Sequence, residues 1–189
     1  LKAASIAFVV NGNYLIPDQE HGFFLNDISF DREGEPGKLT LKFKDKNDLW
    51  EIDQIFKLRK EESLIERGAV IRYKGEDKQK LQYMAFIVPS VGFGEPQNCS
   101  YQVLASFPPE RVYFDKLSLG REVYDTVTAV IIHDTSSKLS LLSVFITETE
   151  EKTLQVKEGK GVIDLIYITP VQARLDQKRE VSFGNLYLY

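Results

Sequence analysis

Lys38-Leu39-Thr40-Leu41-Lys42-Phe43-Lys44-Asp45-Lys46 is the stretch on which the fold turns. Leu39, Leu41 and Phe43 alternate with Thr40, Lys42 and Lys44. Successive side chains of an extended chain point to opposite sides, so this is a strand with one apolar and one charged face. The same period of two recurs at 5–10, where Ile6, Phe8 and Val10 share a face, and at 69–74 and 81–87. Further on, 126–133, 138–147, 161–169 and 180–189 are rich in Val, Ile, Leu, Tyr, Phe and Thr, which suit a packed, pleated surface.

Turn residues separate these runs. Asn11-Gly12-Asn13 suits a tight hairpin, because Asn and Gly tolerate positive φ. Residues 32–37, 74–77, 134–137 and 157–161 read as loops. Little chain between the strands is long enough for a helix, so the expected fold is mainly β, an antiparallel β-sandwich with at most one or two short helices. The ambiguous segment is 48–67. Trp50, Ile52, Phe56 and Leu58 alternate with charged residues and predict a strand over 49–58. A short helix over 60–67, closed by Gly68, is the place where the pattern allows one.

Periodicity is weakest over 88–100, where Pro89, Gly92, Gly94 and Pro96 cluster. Two tandem modules are therefore expected, 1–92 and 97–189, the second with the strand cadence of an immunoglobulin-like sandwich; jelly-roll-like modules fit the same cadence. The alternative is one sandwich of 189 residues.

Composition narrows function mainly by exclusion. The chain carries 28 acidic and 24 basic residues, a formal charge of -4 and a pI near 5.3. Before Pro96 there are 16 acids and 14 bases, and after it 12 and 10, so no basic half is hidden. Generic phosphate binders gain affinity through clustered cations, and nucleic acid is not an expected partner. No apolar run approaches the roughly 20 residues of a spanning helix. There is one cysteine, Cys99, so an intrachain disulfide and a multi-cysteine zinc site are excluded. No phosphate-binding loop or dinucleotide fingerprint occurs, and no cofactor is expected. Nothing in the sequence fixes a compartment.

The histidines are His21 and His133. His133, followed by Asp134 with Ser136 and Ser137 nearby, has the residue types of a hydrolytic triad. Adjacent strand residues face opposite ways, however, and no Gly-x-Ser-x-Gly elbow is present. His21 with Asp18 and Glu20 has metal-ligand chemistry but lacks a further local ligand. Asp27, Asp31 and Glu33, and Asp45, Asn47 and Asp48, have oxygen donors for calcium without the EF-hand spacing, and they read as solvated turns. No metal is expected.

Binding candidates are of two kinds. Lys38, Lys42, Lys44 and Lys46 place four ammonium groups on one strand face, suited to an acidic partner. The same row would also guard an edge strand against unwanted pairing. Trp50, Tyr14, Tyr101 and Tyr124 are rings that would stack on a sugar if exposed. The leading expectation is a non-catalytic β-sandwich interaction or structural module that binds a protein partner or self-assembles. The alternatives are a carbohydrate-binding module using the aromatics, and a hydrolase using His133 or Cys99.

Overall fold

A computed structural model describes residues 6–32, 36–59, 63–91, 98–104, 111–113, 121–125, 127–147, 151–159, 162–176 and 179–189. Its strands, in chain order, are β1 (Ile6–Val10), β2 (Asn13–Leu15), β3 (Phe23–Asp31), β4 (Gly37–Asp45), β5 (Trp50–Arg59), β6 (Leu64–Tyr73) and β7 (Gln79–Val91). The second half supplies β8 (Cys99–Leu104), β9 (Arg111–Tyr113), β10 (Arg121–Asp125), β11 (Ala129–Asp134), β12 (Leu139–Phe145), β13 (Thr153–Gly159), β14 (Val162–Leu175) and β15 (Glu180–Leu188). No α-helix occurs among the described residues. The short helix expected over 60–67 is replaced at 64–67 by β6, whose alternation continues the pattern of β5; 60–62 lie outside the described residues.

The strands form two antiparallel sheets that pack face to face. One has the order β10-β13-β14-β7-β1-β2, the other β3-β4-β5-β6-β15-β12-β11-β8-β9. Both sheets draw strands from before and after residues 92–97. β7 pairs with β14 along most of its length, and β6 pairs with β15.

Alternation decides what each strand buries. Ile6 and Phe8 of β1, Met84 and Phe86 of β7, and Leu165 and Tyr167 of β14 turn inward from the narrower sheet. Ile52, Ile71, Tyr101, Ile132 and Phe145 meet them from the wider one. Phe145 lies edge-on to Phe86, with ring centroids 5.9 Å apart, and 5.3 Å from Tyr167. The Tyr167 hydroxyl donates to Ser143 Oγ at 2.8 Å, so the one polar atom of this buried ring finds its partner on the opposite sheet. Burial pushes the Tyr167 phenol well above its usual range, which keeps it protonated.

Turn chemistry follows the sequence closely. Asn11 and Gly12 both take positive φ, 48° and 80°, the backbone of a type I′ turn matched to strand twist. Asn11 Oδ1 also accepts the Lys80 amide at 2.9 Å, tying the hairpin to β7. Between β4 and β5, Asp45 Oδ1 accepts the amides of Leu49 and Trp50, each at 2.7 Å. Asp134 closes the β11–β12 turn by accepting the Ser136 amide at 2.9 Å and hydroxyl at 2.7 Å.

Candidate interaction surface

The two sheets differ in width, nine strands against six among the described residues, and the wider sheet overhangs at its β3 end. The overhang shows as a gradient of burial along one face. Ile71 on β6 and Ile52 on β5 are sealed, Leu41 on β4 is half-buried, and Ile28 on β3 is 58% exposed. The register places Leu25 beside Phe43, Ile28 beside Leu41 and Phe30 beside Leu39, so these side chains continue the core face beyond its cover. Asn26 is an extra residue between Leu25 and Asp27, and this bulge keeps Leu25 and Ile28 on the same side. Leu25, Phe30 and Leu58 are exposed with Ile28. Phe24 lies exposed beside Lys44 on the other face. β3 pairs only with β4 among the described strands, leaving its outer backbone edge open.

The outer face of the same sheet holds the predicted lysines. They do not lie on an edge strand, because β4 is flanked by β3 and β5. The edge-guard reading of this row is therefore corrected: the edge is one strand further out. Nor are the central lysines free for a partner. Lys42 Nζ donates to Asp27 at 3.0 Å, and Lys44 lies 3.2 Å from both Asp48 and Glu51. Lys74 reaches the same two carboxylates, and Arg72 bridges Asp53 and Glu180 at 2.8 Å each. Hydrogen bonds from Lys74 and Lys44 hold Asp48 and Glu51 below the usual carboxylate range, and Lys42 does the same to Asp27. Burial pulls Arg72 down, but its bonds to Asp53 and Glu180 outweigh that and raise it. Within this ladder the carboxylates Asp27, Asp48, Glu51, Asp53 and Glu180 outnumber the cations Lys42, Lys44, Arg72 and Lys74. An anionic polymer would meet a surface already neutralised by its own carboxylates. Lys38 and Lys46, at the two ends of the row, are exposed.

The aromatic candidates with described side chains, Tyr101, Trp50 and Tyr14, do not converge. Tyr101 on β8 is 1% exposed and belongs to the core, so its expected role as a sugar platform is corrected: its position on the inward face of a strand paired on both sides, by β11 and β9, buries it. Trp50 is half-buried against Tyr73, ring centroids 4.5 Å apart. Tyr14, 70% exposed, is on the short edge strand β2 of the other sheet. Tyr124 pairs through its backbone with Leu154, and its side chain lies outside the described residues.

The catalytic candidates are likewise dispersed. In the β8–β11 register His133 sits beside Ser100 and Asp134 beside Cys99, so His133 and Cys99 face opposite sides of the sheet. Cys99 is fully buried. His133 Nδ1 is 2.8 Å from Ser140 Oγ, its cross-strand neighbour on β12. Asp134 is committed to its turn, where the Ser136 hydroxyl lowers its carboxyl to about 2. His21 Nδ1 lies 2.7 Å from Asp18 Oδ1, a contact within one turn of chain. Among the described residues no three His, Cys, Asp or Glu side chains converge as metal ligands. Of the calcium-type groups, Asp27 and Asp48 are in the ion-pair ladder, Asp45 caps its turn, and Glu33 lies outside the described residues.

No protein-family model matches the sequence, and no curated protein matches it. Solved structures do resemble it. The GH36 alpha-galactosidase AgaB from Geobacillus stearothermophilus superposes with a TM-score of 0.70 at 11% identity, over 100% of this chain and 30% of that one. The Slr1438 protein from Synechocystis sp. PCC 6803 gives 0.57 at 13% identity, over 96% of this chain and 71% of that one. A putative aldose 1-epimerase from Escherichia coli K12 gives 0.56 at 9% identity, over 96% and 77%. At these identities the likeness is one of fold, an antiparallel β-sandwich. The chain spans under a third of the alpha-galactosidase's length.

Proposed function

We propose that this chain is a non-catalytic β-sandwich interaction module that binds protein through the β3 edge of its wider sheet. The observation that carries the reading is the overhang: Leu25, Ile28 and Phe30 continue the core face on a strand with an open backbone side. Monomeric domains seldom leave such a contiguous apolar strip bare, and exposed edges are usually charged, shortened or covered. A partner strand added to β3 would satisfy its backbone groups and cover the strip at once. A second copy of the chain supplies such a strand.

The test compares the wild-type chain with an Ile28→Asp, Phe30→Asp variant by sedimentation over a range of concentrations, with hydrogen exchange at β3. The expected result is wild-type self-association with protected β3 amides, and a monomeric variant with an unchanged melting temperature. Wild-type protein that stays monomeric, with β3 amides exchanging as fast in its native preparations as in the variant, overturns the reading.

We also propose that residues 1–189 work as one folding unit instead of modules 1–92 and 97–189; the β7–β14 and β6–β15 pairings support this. Carbohydrate binding is the second reading. It draws on exposed Tyr14 and on the sugar-acting proteins that share the fold. It ranks second because Tyr101 is buried, and Trp50 and Tyr14 stand on different sheets. A glycan array probed with wild type and Tyr14→Ala tests it: no binder counts against it, and a binder lost in Tyr14→Ala supports it.

A further inference from the structure

At the end of the sandwich formed by β14 and β15, the two sheets part around a cleft of about 620 Å³. Its shape comes from two irregularities. β14 carries an extra residue between Pro170 and Ala173, opposite Tyr83 and Leu81. β15 carries another between Phe183 and Leu186, opposite Ala69 and Arg67. Each bulge bends its strand, and the two lie on facing sheets of the same cleft. Pro170, which has no amide to donate, sits at the bulge where a strand interior tolerates it. Gly68 faces the β15 bulge so closely that an added Cβ would lie 3.1 Å from the Phe183 carbonyl oxygen. The local sequence therefore accommodates both bulges.

The lining divides into an apolar floor and a polar rim. Met84, Val171, Val181 and Phe183 supply the floor, and Phe183 is held from behind by Phe8, ring centroids 5.6 Å apart. Gln172, Ser182 and Arg179 stand at the rim, all exposed. Arg179 is the one charged side chain among the described lining residues, and it forms no ion pair with any described residue. This contrasts with Lys42, Lys44 and Arg72, whose charges are met by carboxylates. Gly184 also lines the cleft, and the position its side chain would take is open space, with no atom within 4 Å.

We propose that this cleft is a binding site for a small molecule consisting of an apolar ring and one carboxylate. The ring lies on Phe183 and the apolar floor, and the carboxylate accepts from the Arg179 guanidinium, with Gln172 as a further donor. The volume lies within the range of small-molecule sites, and an apolar floor with few polar groups is their usual composition. A guanidinium that no described carboxylate meets selects one negative charge and can meet a carboxylate with two parallel bonds. The site is separate from β3, so it stands or falls independently of protein binding there.

The experiment is a titration of the full chain with 2-naphthoate, read by amide chemical shifts. Saturable one-to-one binding is expected, with shifts at the β14 and β15 bulges. Arg179→Gln should weaken it about tenfold, the loss expected of one charge-assisted contact. Neutral 2-naphthol should bind wild type as weakly as 2-naphthoate binds that variant. Gly184→Phe should fill the cleft and abolish binding, and Val181→Trp, at an inward-facing lining position, serves the same end if that variant does not fold. Lys78→Gln, which removes an exposed cation that does not line the cleft, should leave 2-naphthoate binding unchanged. The proposal is overturned by absent saturation, by affinity unchanged in folded Arg179→Gln and cleft-filling variants, or by shifts confined to β3.

Discussion

The Arg67 guanidinium, on β6 of the wider sheet, donates to the Ile87 carbonyl on β7 of the narrower one at 3.0 Å. It lies between the rings of Phe56 and Phe86, 5.4 and 5.6 Å from their centroids, so a cation crosses the sandwich where its covered core gives way to the overhang. Burial lowers its ionisation to about 10 from the usual value above 12. Truncation to Ala would empty the space between two rings and lose the cross-sheet bond. Arg67→Ala should cost about 2–4 kcal/mol in urea unfolding. Arg67→Met, which refills the space without a charge to desolvate, should cost less than half as much.

A second cross-sheet bond, Tyr167 to Ser143, makes a sharper measurement possible. Tyr167→Phe leaves a buried serine without its donor and should cost about 1–2 kcal/mol. Removing both hydroxyls in Tyr167→Phe, Ser143→Ala should cost less than the sum of the single changes. Additive effects in the double-mutant cycle would show that the two hydroxyls are not coupled.

Gly68 faces the β15 bulge. Gly68→Ala should destabilise the fold by about 1–3 kcal/mol through its contact with the Phe183 carbonyl oxygen, whereas Gly184→Ala, which meets open space, should be near neutral. Comparing their chemical-denaturation midpoints checks both expectations.

Acid titration should single out Asp134. Its carboxyl is lowered to about 2 in the folded chain by the Ser136 hydroxyl, against about 3.8 when free. The unfolded chain therefore binds the extra proton first. The stabilisation is full above the unfolded value and disappears as pH falls from about 4 to about 2. Asp134→Asn should flatten this limb of the stability–pH curve, as followed by circular dichroism. A limb identical to that of wild type would refute the assignment.

Severing the chain within 92–97 should leave neither 1–92 nor 97–189 folded alone, since each would lose the partner of β7 or β14 and of β6 or β15. Mixing the two pieces should restore the β-sheet spectrum. A piece that gives dispersed amide resonances by itself would re-establish the two-module division.

Many strands and several turns were legible because they depend on neighbours in sequence; β3, β8 and β13 were not, and β13 takes in 157–159, which read as a loop. Lys38 to Lys46 forms β4 as its alternation requires, and Asn11-Gly12 makes the expected hairpin. Sheet membership was not legible. Nothing local tells Gln79–Val91 to pair with Val162–Leu175, because that choice depends on covering apolar faces far apart in the chain. The same limit explains the misread surface features. Tyr101 and Tyr14 look alike as residues, but one faces inward from a strand paired on both sides and the other is on an edge. The lysine row suggested a binding face because its carboxylate partners come from β3, β5 and the β4–β5 turn. The strand that carries Leu25, Ile28 and Phe30 was not legible, since the bulge at Asn26 breaks its period of two. The β14–β15 cleft had one faint signal, Pro170 within an otherwise strand-like run.

Trp50 is the sole tryptophan, set against Tyr73 at the inner margin of the overhang. Indole emission from this chain therefore reports on one corner, not on the sealed interior around Phe145. If the corner loosens before the rest, fluorescence will register an earlier midpoint than the far-ultraviolet signal, and a ligand that covers β3 should bring the two curves together.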